Sequence, residues 1–115
     1  MSDLAVLRDQ MRTFTIERDW EQFHDPKSLI LALVGEVGEL SELFQWLPAA
    51  EAVNRVSNEP LHTRVSEELA DVLLYLVRLA DVVGVDLAEA ARDKLRDADA
   101  RFSATAFQGI APEKS

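Results

Sequence analysis

The chain has no cysteine, only four glycines and four prolines, few aromatic residues (7%), and twelve lysines and arginines against twenty-one acids. Without cysteine there is no disulfide framework, no thiolate zinc site and no cysteine nucleophile, and a reducing compartment is permitted. With 48% apolar and 29% charged residues and so little glycine and proline, the sequence is neither fibrous nor disordered. No stretch reaches the roughly 18 apolar residues of a membrane span. Nor does Met1 lead into a basic region followed by an apolar run, so a cytoplasmic protein without a membrane partner is expected. A net charge of -9 leaves no basic surface to displace the counterions of a polyanion, which argues against long nucleic acid as a partner. A single nucleotide is different, because carboxylates of the protein can hold a divalent cation that bridges to phosphate oxygens.

What is present is helical periodicity. Leu4, Leu7, Met11 and Phe14 form one stripe of an amphipathic helix over Leu4–Ile16. Asp25 followed by Pro26 opens a second helix, expected to run to about Trp46 and to stop before Pro48. Its Leu29-Ile-Leu-Ala-Leu-Val run is apolar on every side, as in a helix buried all round. Residues 47–60, with Pro48, Asn54, Asn58 and Pro60, read as a connection with room for an extra helical turn. A third long helix is expected over Leu61–Val83, closed by Gly84, and a fourth over Leu87–Phe102, opened by Asp86 and Glu89. An all-α domain over 1–102 and a mobile tail over 103–115 follow, 115 residues being the length of one domain.

Acids interrupt the two most apolar helices. Glu36 and Glu39 share one face of the second helix, and Glu68 and Asp71 one face of the third. At i, i+3 spacing two like charges repel by a few tenths of a kcal/mol, a cost that something must offset. If the two helices form an antiparallel hairpin, both pairs lie about 13 Å from the connection, at roughly 1.5 Å per residue. The four carboxylates then converge at one level. An all-oxygen donor set suits Mg²⁺ or Mn²⁺ rather than zinc. A di-iron bundle would need a Glu-x-x-His motif, and neither His24 nor His62 stands three residues after an acid of either pair. Glu42 and Glu67 flank these pairs and read equally well as surface charge. Gly35 and Gly38 cost roughly 1 kcal/mol each inside a helix. They point either to close approach of a phosphate or to close helix packing.

The stretch from Glu17 to Trp46, with Trp20, Phe23, His24, Asp25-Pro26 and the Gly35-Glu36-Val37-Gly38-Glu39 core, resembles the dCTP pyrophosphatases of the MazG-like all-α pyrophosphohydrolases. Glu68-Leu-Ala-Asp71-Val-Leu-Leu-Tyr75 resembles that family's second metal motif, and the likeness covers roughly residues 4 to 102. It implies a four-helix fold in which Glu36, Glu39, Glu68 and Asp71 bind Mg²⁺ and are the catalytic carboxylates. Water would attack the α-phosphorus of a nucleoside triphosphate to release a monophosphate and pyrophosphate. It further implies that Trp20 and Trp46 enclose the base with Tyr75 and His24 nearby, and that Lys94 and Arg101 meet phosphates. Spacing independently places Trp46 on the face of Glu39 and Tyr75 on that of Asp71, although core packing would explain either aromatic. One position departs from the pattern: Ala98 stands where the family commonly has asparagine, which puts base and sugar choice in doubt.

Two helices so apolar need more cover than one chain supplies, so a second chain is expected to complete the four-helix core. The resemblance implies a tetramer of two such dimers. The expected activity is hydrolysis of dCTP or a modified dCTP to clear the nucleotide pool. Two rivals are a pyrophosphohydrolase of broad specificity and a non-catalytic helical interaction module stabilised by metal.

Overall fold

The protein is described here as a computed structural model over residues 2–112. Helix α1 (Asp3–Glu17) starts at Ser2, whose hydroxyl accepts the Ala5 N–H at 3.1 Å. It ends in a left-handed turn at Asp19 (φ 53°), where the Trp20 N–H donates to the Thr15 carbonyl and the Asp19 N–H to that of Ile16. This double closure satisfies carbonyls that a helix end otherwise leaves orphaned. Helix α2 (Pro26–Phe44) begins as its sequence indicates: the Asp25 carboxylate accepts the Ser28 N–H at 2.9 Å and Pro26 sits in the first turn. It stops at Phe44, two residues short of the expected Trp46, because the chain turns over 45–47 ahead of Pro48.

The connection carries a short 3-10 turn (Ala49–Glu51) and a helix α3 (Ala52–Val56). Helix α4 (Leu61–Val82) ends at Gly84 (φ 76°), with the Val85 N–H donating to the Ala80 carbonyl at 2.8 Å. Only glycine takes this backbone conformation without steric cost. Asp86 then accepts the Glu89 N–H at 3.0 Å and opens α5 (Leu87–Arg101). The segment after 102, expected to lack regular structure, instead begins with a helical turn, α6 (Ala104–Phe107). Ser103 caps it, and Phe107 packs edge-to-face on Phe102 with ring centres 5.2 Å apart. The last part of that expected tail, 113–115, lies outside the described residues. Among the described residues there is no strand.

The principal packing is α2 against α4, antiparallel, with Leu43 near the end of α2 beside Leu61 at the start of α4. Helix α1 lies on α4, α3 packs on the first part of α4, and α5 touches α1. Among the described residues, Leu29, Val65, Val77 and Ala80 are the buried apolar ones. Arg78 is also buried, at 6% exposure, because Asp81 accepts from its guanidinium at 3.1 Å, while Arg12 reaches the same carboxylate from α1. That charge pairing ties α1 to α4 where a lone buried cation would be costly.

The single chain leaves much apolar surface open. Ile30, Leu31, Val34 and Val37 of α2 and Leu69, Leu73 and Leu76 of α4 are all exposed. The radius of gyration is 17.4 Å, against about 13 Å for a compact domain of this length. The accessible surface is 8641 Å², against roughly 6,300 Å² for a compact monomer of this mass. No described helix is long and apolar enough to cross a membrane.

Candidate active site

The hairpin brings Glu36, Glu39 and Glu68 together, with one carboxylate oxygen of each within 4.8 Å of the others. The i, i+3 pair on α2 faces α4 at the level that the rise per residue indicates. One oxygen each of Glu36 and Glu68 is buried without a hydrogen-bond partner. Desolvation, first, and the neighbouring Glu68, Glu39 and Asp71 push the Glu36 carboxyl up from 4.5 to about 7. Burial, first, also raises Glu68. Orphaned carboxylate oxygens at close quarters are unfavourable unless protonated or bound to a cation. The donors are all hard oxygens, so the residues fit a divalent cation of the Mg²⁺ type.

Asp71 lies just outside this group of three, yet near enough for its charge to raise Glu36 and Glu68. It lines the adjoining cleft between α1 and α4, a space of about 390 Å³ walled by Leu7, Met11, Phe14 and Leu74. Trp20, His24 and Tyr75 line the same cleft. Three of the aromatic residues expected near a base thus share one cavity with one of the expected metal ligands. Trp20 is placed by the closing turn of α1: its backbone caps the helix while its ring meets Phe14 edge-to-face at 5.6 Å. This is the apolar contact that commonly accompanies such a turn.

Arg78 and Asp81, which the sequence pattern does not single out, stand behind His24. The Arg78 Nε–H donates to His24 Nδ1 at 2.9 Å, and Asp81 holds the same guanidinium. Burial and the Arg78 charge both lower the His24 pKa. The signal in the sequence was an arginine inside the apolar Leu-Leu-Tyr-Leu-Val-Arg run, a position that needs partners when buried.

Other expected site residues are not brought to the cleft. Trp46 is 85% exposed, beyond the end of α2. Lys94 and Arg101 are exposed on α5, Arg101 lying over the Phe102 ring. A Cβ on Gly35 or Gly38 would meet no described atom within 4 Å, so packing inside the chain requires neither glycine. Glu42 does not line the aromatic cleft; it lines a second groove together with Glu39 and Glu68 of the acidic cluster and with Arg55 and Arg64.

The MazG-like family profile matches residues 32–110. The chain is 47% identical over 108 residues to dCTP pyrophosphatase 1 of Bos taurus, covering 94% of this chain and 64% of that protein. It is 50% identical over 92 residues to dCTP pyrophosphatase 1 of Homo sapiens, covering 80% and 54%. The chain therefore spans less than two thirds of the length of these curated relatives. Among solved structures, a pyrophosphatase from Archaeoglobus fulgidus superposes with a TM-score of 0.80 at 33% identity, over 90% of this chain and 94% of that one.

Proposed function

The chain belongs to the MazG-like family, and on that premise we propose that it is a magnesium-dependent nucleoside triphosphate pyrophosphohydrolase whose substrate is dCTP or a closely related pyrimidine nucleotide. The observation that carries this reading is the cluster of Glu36, Glu39 and Glu68, two of them with orphaned oxygens, joined through Asp71 to an aromatic-walled cleft. The names of the mammalian relatives and of the Archaeoglobus fulgidus structure support the reaction class and, for the former, the base.

Glu36, Glu39, Glu68 and Asp71 would hold the cation. Bound there, Mg²⁺ supplies neutralisation of phosphate charge and orientation of water. The protein's own share is positional. The acidic cluster fixes the triphosphate end beside α2 and α4, while Trp20 and Tyr75 flank a base in the cleft and exclude water from it. Stacking on an aromatic face tolerates any base, so selection of cytosine needs polar contacts in addition. Ala98, where the resemblance implies asparagine, offers no polar side chain from α5, so choice of base and sugar rests on other contacts.

The functional unit is proposed to be a homo-oligomer, a tetramer built from dimers. The excess of accessible surface over a compact monomer is on the order of 2,000 Å² per chain, the scale of an obligate interface. Closed symmetry would cover the open α2 and α4 faces. Trp46, Lys94 and Arg101, which lie away from the cleft of their own chain, would take part in a site through a second copy. A panel of pyrimidine and purine triphosphates, assayed with Mg²⁺ for pyrophosphate release, tests the proposal. Release from dCTP supports it; no release from any triphosphate contradicts it and leaves a non-catalytic helical module.

A further inference from the structure

We propose that Arg78 is a positioning residue that locks His24 in the neutral tautomer protonated at Nε2, so that His24 offers the cleft a hydrogen-bond donor for a carbonyl oxygen of the nucleobase. This rests on the reading of the cleft as a base pocket. The geometry is one-directional. An arginine Nε–H can only donate, so at 2.9 Å His24 Nδ1 must accept, and the single proton of the neutral ring resides on Nε2. Arg78 cannot swing away cheaply, because it is 6% exposed and Asp81 holds its guanidinium at 3.1 Å. Asp81 is held in turn by Arg12 of α1, so both helices that wall the cleft set the orientation of the ring.

A buried cation directly behind the ring also opposes a second proton on it. His24 is therefore a donor rather than a proton acceptor. Most of the cleft wall is apolar or aromatic, and Asp71 is its link to the acidic cluster. A neutral donor in such a wall matches an uncharged carbonyl better than a phosphate, whose charge is met at the cluster. Pyrimidine bases carry such a carbonyl next to the glycosidic nitrogen.

The other histidine provides an internal reference. His62 Nδ1 lies 3.1 Å from the Val56 carbonyl, so in its neutral form that nitrogen is the donor and the tautomer is the opposite one. Long-range proton–nitrogen NMR of the free protein should show one histidine of each tautomer, with His62→Asn assigning the pair. His24 protonated on Nδ1 overturns the proposal with no substrate involved. Addition of Mg²⁺ with a non-hydrolysable dCTP analogue should shift His24 Nε2, whereas Mg²⁺ with pyrophosphate should not. A shift with pyrophosphate alone overturns the assignment to the base.

Arg78→Met places an apolar methyl where Nε stood and should raise KM for dCTP about tenfold with a much smaller change in kcat, as for a lost hydrogen bond in ground-state binding. Arg78→Gln keeps an N–H at the position of Nε, and should restore the tautomer and return KM toward the wild-type value even if Arg78→Met folds poorly. Loss of kcat in Arg78→Gln with the tautomer intact overturns the positioning role. If no triphosphate is hydrolysed while the tautomers are as described, the functional reading fails and the Arg78–His24 lock stands.

Discussion

Glu36 on α2 and Glu68 on α4 bring carboxylate oxygens within 4.8 Å of each other across the hairpin, and each keeps one buried carboxylate oxygen without a partner. Burial and mutual repulsion at this distance disfavour the doubly charged form of the pair. The arrangement is unfavourable for the metal-free protein and suited to a cation.

The first prediction concerns pH. Burial and acidic neighbours push Glu36 up from 4.5 to about 7 in the folded protein. Between those values the native state binds more protons than the unfolded one, so in chelator stability should fall as pH rises through about 7. Glu68 is shifted in the same direction and adds to the effect. Mg²⁺ binds the ionised carboxylates, so the rise in Tm that it causes should grow over the same range. Thermal melts from about pH 5 to 8, with chelator and with Mg²⁺, measure both curves. A metal-free Tm that climbs across this range contradicts the account.

The helix punctuation was legible in the sequence because it is local: Asp25-Pro26, Gly84 and Asp86 each act within one turn. The acidic cluster was legible for a related reason, since two i, i+3 pairs at equal distance from one connection must meet once the hairpin forms. The turn that sets Trp20 was not, because Asp19 takes a left-handed conformation that its residue type only weakly favours. The link between Arg78 and His24 spans 54 residues and depends on how α1 and α4 seat the loop between α1 and α2, a matter of packing rather than pattern. The α6 turn was missed because four residues are too few for any periodicity to show.

The second prediction concerns the base. Trp20→Ala should weaken dCTP binding roughly tenfold or more, the stacking of one base being worth about 1 to 3 kcal/mol. Mg²⁺ affinity, measured by calorimetry on the same variant, should not change. Unaltered dCTP binding would remove Trp20 from the pocket.

Assembly is the third. Light scattering at micromolar protein should give an oligomer, and Val34→Glu, on the open face of α2, should dissociate it. A wild-type monomer would contradict the reading of the exposed α2 and α4 faces. Trp46→Ala in the assembled protein then reports on the partner's share of the site: wild-type KM for dCTP would place that indole outside it.

The fourth addresses the ligands. Glu39→Gln and Asp71→Asn should each lower kcat at least about a hundredfold, because a metal's charge stabilisation is worth several kcal/mol and about 1.4 kcal/mol is a factor of ten. Both variants should keep the helical circular dichroism of the wild type, since each swap preserves side-chain shape. Full activity of either variant, or of the wild type in excess chelator, would remove the cation from the reaction.

The central claim is hydrolysis between the α- and β-phosphates by water held at the acidic cluster. Turnover of dCTP with Mg²⁺ in water enriched in heavy oxygen, followed by mass spectrometry of the products, tests it most directly. The account predicts one labelled oxygen in dCMP and none in the pyrophosphate released with it. Label in pyrophosphate or in inorganic phosphate, or no product at all, would contradict it.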